Sequence, residues 1–185
     1  MIKIPKSFHE LLGEFQTRSS LAAIALFVLV SGLFIGILGY EEWRGLSFLK
    51  QVVTWILFLD ISGGVVANLT KGTDLYYERN PRKRWIFIAI HVQPLILSWS
   101  MGIPIHYGVI ICAYTLIGAA ILNLMRNYAN QNLLAVSLTG VGLLIATYLG
   151  QTVPFFAATL WSFYILKVMF CFSVFHHRGE QNEHQ

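Results

Sequence analysis

The sequence predicts an all-α fold: a polytopic membrane helical bundle of six transmembrane helices, with both termini cytoplasmic and a short N-terminal interfacial helix. Three observations lead there. Of the 185 residues 56% are hydrophobic and 12% charged, against about 25% charged in an average soluble domain, and the mean hydropathy is +0.61. Six apolar runs each reach at least ~17 residues, enough for a helix to cross the bilayer core, and none alternates as a lipid-facing β-strand would. Lys and Arg collect in the loops that six crossings would place on one side.

The chain divides into a cytoplasmic tail at 1–19, a bundle at 20–175 and a cytoplasmic tail at 176–185. In the first tail, Ser7-Phe8-His9-Glu10 fits a capping box, in which the serine and glutamate side chains satisfy each other's free amides. Phe8, Leu11, Leu12 and Phe15 then recur at helical spacing, opposite His9, Glu10, Glu14 and Gln16. This predicts an amphipathic helix in the inner headgroup layer, with Lys3 and Lys6 toward anionic lipid. Packing of that helix on the protein's own loops is the alternative.

The spans are expected at 20–40, 46–69, 85–105, 106–125, 132–150 and 154–175. The first is uncharged and reads as a retained crossing rather than a cleaved signal, because the segment before it is too polar and irregular for an n-region. The second carries Asp60. The third follows the basic stretch Arg79-Asn80-Pro81-Arg82-Lys83-Arg84 and ends at the turn of Gly102 and Pro104. The segment from Tyr76 and Tyr77 to Arg84 is expected to be an interfacial loop with aromatic and basic anchors. The last span opens at Pro154, a residue favoured in a first helical turn.

Ten of the 13 Lys and Arg residues fall on the side of the termini, Arg44 falls opposite, and Lys50 and Lys167 lie within spans. This bias places both termini in the cytoplasm and requires an even number of crossings. A bacterial-type plasma membrane is the expected location. The anionic headgroups of its cytoplasmic face are the expected partner of the basic loop ends, and no nucleic acid is expected.

Asp60 is the most informative position. An ionised acid at a helix centre costs about 2.5–3.5 kcal/mol on the insertion scale, and lysine a similar amount. Such groups therefore turn to the bundle interior and pair. By a rise of about 1.5 Å per residue, Asp60, His91 and Lys167 lie roughly 9–14 Å from the same membrane face on three different spans. They are expected to converge, Asp60 and Lys167 as an ion pair or joint ligand site and His91 beside them.

Asp60, Gly64 and Asn68 form one stripe at helical spacing, and Lys167 shares its side with Tyr164 and Cys171. The candidate ligand- or ion-binding residues are Asp60, His91, Lys167, Asn68 and Tyr164. On the third span, His91, Pro94, Ser98 and Gly102 are expected on one face, with Gln93 and Ser100 on the other. Pro94 should leave the Ile90 carbonyl free next to His91.

Other chemistries lack parts. His91 and Ser98 share a face but sit about 10 Å apart along the axis, too far for a nucleophile and its base. Asp60, His91 and His176 or His177 show no metal-ligand spacing, so no metal site is expected. Cys112 and Cys171 lie in apolar runs as packing residues. No catalytic residue and no cofactor is assigned by any motif. Three functions remain: transport or permeation of a small polar or ionic solute; an embedded enzyme or binding protein for a lipid or isoprenoid; and a non-catalytic assembly subunit, in which the ion pair only fixes helix register.

Overall fold

An apolar chain whose backbone has no water to bond must satisfy its amides and carbonyls internally, and the helix does so within one segment. The computed structural model describes residues 1–176; His177, Arg178 and the rest of the expected C-terminal tail lie outside the described residues. The helices are α1 (His9–Leu12), α2 (Arg18–Leu38), α3 (Tyr40–Arg44), α4 (Phe48–Ala67), α5 (Lys71–Arg79), α6 (Pro81–Ile90), α7 (Gln93–Met101), α8 (Ile105–Leu124), α9 (Gln131–Leu149) and α10 (Phe155–Ile165). The last continues as wider π-helical turns over Leu166–Phe172. Among the described residues, five helices are long and apolar enough to cross a membrane, by length and composition: α2, α4, α8, α9 and α10 with its continuation.

The third expected span is a broken pair, α6 and α7. The chain leaves helical geometry at His91 (φ −81°, ψ 66°), and α7 restarts with Pro94 in its first turn, where a missing N–H costs nothing. The Ile90 carbonyl is not left free, as a continuous helix would require; it accepts from Val92 N at 2.9 Å. The expected interfacial loop before this pair is helical instead. Thr70 caps α5, and Pro81 in the first turn opens α6.

The N-terminal tail departs further. Ser7 makes no side-chain cap; a 3-10 turn at Lys6–Phe8 leads into the four-residue α1. Gly13, at φ +69°, ends the helix in a conformation that L side chains avoid. Phe15 then joins a strand, Phe15–Gln16, paired antiparallel with Ile2–Lys3. The helical periodicity is overridden because this segment folds onto α5. Tyr77 Oη donates to the Glu10 carbonyl at 2.7 Å, and Gln16 Nε2 donates to Thr70 Oγ1 at 2.7 Å. A Cβ on Gly72 would lie 2.0 Å from the Phe15 carbonyl oxygen, so only glycine permits this backbone approach.

Side chains of α10 fill the core: Phe156, Leu160, Trp161 and Tyr164 have no exposed surface. Glu42, at the opposite end from α5, caps α10 with its two carboxylate oxygens, accepting from Phe155 N at 2.7 Å and Phe156 N at 2.8 Å. These bonds satisfy amides that a helix start leaves open. In the interior, Thr54 donates to Ser100 at 2.9 Å, joining α4 to α7. α2 lies at the periphery, with Leu29, Leu33, Phe34 and Ile37 more than half exposed. That apolar surface is compatible with a membrane protein.

Candidate functional site

The stripe on α4 ends in a cavity. Gly64 provides the room: a Cβ there would stand 2.3 Å from Lys167 Cε, so the lysine stem lies directly on the α4 backbone. The π-helical turns carry Lys167 inward, and its Nζ donates to Asp60 Oδ2 at 2.8 Å. The ammonium side chain is 2% exposed and the carboxylate side chain 41%. Asn68, one turn beyond Gly64, donates from Nδ2 to the Lys167 carbonyl at 3.4 Å.

The break between α6 and α7 supplies the opposite wall. Gln93, the first residue of α7, donates from Nε2 to the same Asp60 Oδ2 at 2.9 Å. Its Oε1 is buried and has no hydrogen-bond partner among the described residues. His91 Nδ1 lies 2.5 Å from the Phe87 carbonyl. A carbonyl only accepts, so Nδ1 carries a proton and donates to it. The imidazole stacks on Phe87 at 3.6 Å between centroids, and Phe87 stacks on Phe172 at 3.6 Å. Tyr164 Oη donates to the His91 carbonyl at 2.5 Å, which ties α10 to the unwound backbone.

A cavity of about 160 Å³ brings these groups together, lined by Asp60, Asn68, Phe87, His91 and Lys167, with Glu10, Leu11, Tyr77 and Lys83 at the end nearest the N-terminal segment. Of the five residues predicted, four line it. Tyr164 does not; it is buried behind His91 and acts on backbone. Lys83 and Glu10 pair at 3.0 Å across that end of the cavity, and Lys83 also donates to the Tyr76 hydroxyl. These hydrogen bonds, to Tyr76 first and Glu10 second, hold the Lys83 ammonium above the usual lysine range. Burial pushes the Tyr77 phenol up, which keeps it a donor.

Sequence reasoning placed Gln93 on the face away from the site. The helix break rotates α7 relative to α6, so the face shared by Gln93 and Ser100 meets α4 while Pro94 and Ser98 turn to α8, where a Cβ on Gly108 would touch both. Arg84, read as one of several basic loop residues, is 1% exposed. Its Nε donates to Asn123 Oδ1 at 2.8 Å, and its Nη2 donates to the carbonyls of Phe172 and Ser173 at 3.2 Å. The rings of Phe172 and Phe175 lie against it. Nothing in its local sequence separates it from Arg82 and Lys83. Arg84 thereby fastens the end of the π-helical turns that carry Lys167.

Among the described residues no three of His, Cys, Asp and Glu gather where they could hold a metal ion. The His176 backbone amide is held by Asp74 Oδ2 at 3.0 Å. Lys50 lies near the other end of the bundle, with Nζ 5.7 Å from the Trp99 ring. Comparison of the chain with protein-family models, with curated proteins and with solved structures gives no match.

Proposed function

We propose that the chain is a six-span membrane protein that carries or conducts a small polar or ionic solute through the cavity at Asp60. The broken α6–α7 pair is the third span of a bundle at 20–175, flanked by tails at 1–19 and 176–185. The ten basic residues on the side of the termini support a cytoplasmic position for both ends, as in a bacterial plasma membrane with anionic headgroups as the lipid partner. Asp60 binds the positive charge or proton of the solute, Lys167 is its charge partner, and His91 Nε2 relays protons. Asn68 lines the path and Tyr164 holds the unwound segment.

One observation carries this reading. A carboxylate on the continuous helix α4 spends one oxygen on two donors, one of them Gln93 at the break between α6 and α7, and membrane transporters place ion and substrate sites at such helix interruptions. The test is uptake by proteoliposomes holding the purified full chain. Asp60→Asn should abolish uptake of the transported solute while the protein still elutes as a folded species. Unchanged flux in Asp60→Asn would refute the assignment.

A second reading has support of its own. Exposed apolar side chains flank the cavity, Ile56 and Leu59 on α4 and Ile86 and Ile90 on α6. A lipid or isoprenoid entering sideways between these helices would meet the same carboxylate, as ligand of a binding protein or embedded enzyme. Co-purified lipid in the groove would favour it.

A further inference from the structure

The site holds unspent hydrogen-bonding capacity of both signs. Asp60 Oδ2 accepts from Lys167 and Gln93, whereas Oδ1 accepts from no donor among the described residues. Gln93 Oε1 is buried and also unmet. An ammonium carries three donors, and that of Lys167 makes one hydrogen bond among the described residues, to Asp60. An acceptor oxygen of Asp60 and the partly satisfied Lys167 cation therefore belong to residues that line one cavity, while Gln93 stands behind the carboxylate as a donor to it.

From this geometry we infer that the occupant is a small zwitterion, an amino acid of modest side chain, whose ammonium takes Asp60 Oδ1 and whose carboxylate takes Lys167 Nζ. The inference rests on the solute-site reading above and names its substrate class. Charge decides between classes. A lone cation would meet Asp60 but leave its own charge beside the Lys167 ammonium, and a lone anion would have the converse conflict with Asp60. Either arrangement puts like charges together beside a lysine side chain that is 2% exposed, which is costly. A zwitterion leaves the net charge unchanged and gives each charge of the pair a second counter-ion.

Size agrees. A cavity of about 160 Å³ has room for several waters and so for a small amino acid. The Phe87 ring, 6.0 Å from Lys167 Nζ, and the stacked His91 imidazole supply a flat wall for its carbon atoms. The remaining charged groups at the cavity, Glu10 and Lys83, already pair with one another and leave the balance unaltered.

The experiment is titration calorimetry of the purified full chain with glycine, alanine, methylammonium chloride and sodium acetate, beside proteoliposome uptake of the same compounds. Alanine or glycine should bind, and the two single-charge compounds should bind at least about tenfold more weakly, the size of one lost charge-assisted hydrogen bond. Gln93→Met, which keeps the ion pair but removes a donor that positions the Asp60 carboxylate, should weaken amino-acid binding severalfold while the protein still elutes as a folded species; it guards against a fold defect in Asp60→Asn. Methylammonium binding as well as alanine, with Asp60-dependent uptake, overturns the zwitterion and leaves the solute site standing. No binding and no uptake of any small solute, with water alone in the cavity, overturns both.

Discussion

The Lys167 ammonium and the Asp60 carboxylate each owe their position to a residue that contributes no charge. Gly64 admits the lysine stem against α4, and Gln93 fixes the carboxylate from the other side. Breaking a buried pair by removing one partner leaves an uncompensated charge, worth about 3–5 kcal/mol when both groups are fully buried. Because the carboxylate is 41% exposed, Asp60→Leu should cost about 1–3 kcal/mol after allowance for screening. Asp60→Leu combined with Lys167→Met should recover most of that loss, as a double-mutant cycle on chemical unfolding in detergent would record. Gly64→Ala should cost about 1–3 kcal/mol by overpacking and lower uptake as well, because Lys167 must vacate its track. An unchanged unfolding midpoint in Gly64→Ala would mean that the lysine does not lie there.

At the scale of elements, the interruption at His91 and Val92 and the folding-back of the N-terminal segment shape the cavity. Both were only partly legible in the sequence. Pro94 announced a disturbance in the third span, but a proline is compatible with a kink inside one helix or with a fresh start, and the choice depends on Tyr164, which comes 70 residues later in the chain and holds the His91 carbonyl. Gln93 was visible as a polar residue in an apolar run. Its partner was hidden because helical periodicity carried across the break assigns it the wrong face. In the N-terminal segment, local periodicity favoured a longer helix, and the long-range contacts of Glu10, Gln16 and Gly13 with α5 prevailed. Gly72→Ala would drive a Cβ into the Phe15 carbonyl. It should release this segment and make the chain near Gly13 sensitive to protease, with little effect on the bundle; resistance equal to that of the native chain would contradict the packing.

At the scale of the molecule, composition made the class plain, since apolar runs of bilayer length leave little alternative to helices. The convergence of Asp60 with Lys167 was arguable from cost alone, as two separate charges facing lipid are expensive and their depths agree. Arg84 was not legible, because burial of one arginine among four neighbouring basic residues depends on Asn123 and on the carbonyls of Phe172 and Ser173, far along the chain. The proposed six-crossing arrangement predicts that reporter domains fused at either terminus both remain on the cytoplasmic side, whereas one inserted near Gly45 reports from outside; opposite locations for the two termini would require an odd number of crossings.

The most direct test of the solute site is an experimentally determined structure of the protein at saturating alanine. The account predicts density between Asp60 Oδ1 and Lys167 Nζ, with the lysine–aspartate contact lengthened to admit it. An unbroken ion pair beside a cavity that holds only water, or a lipid chain filling the groove between α4 and α6, would contradict it.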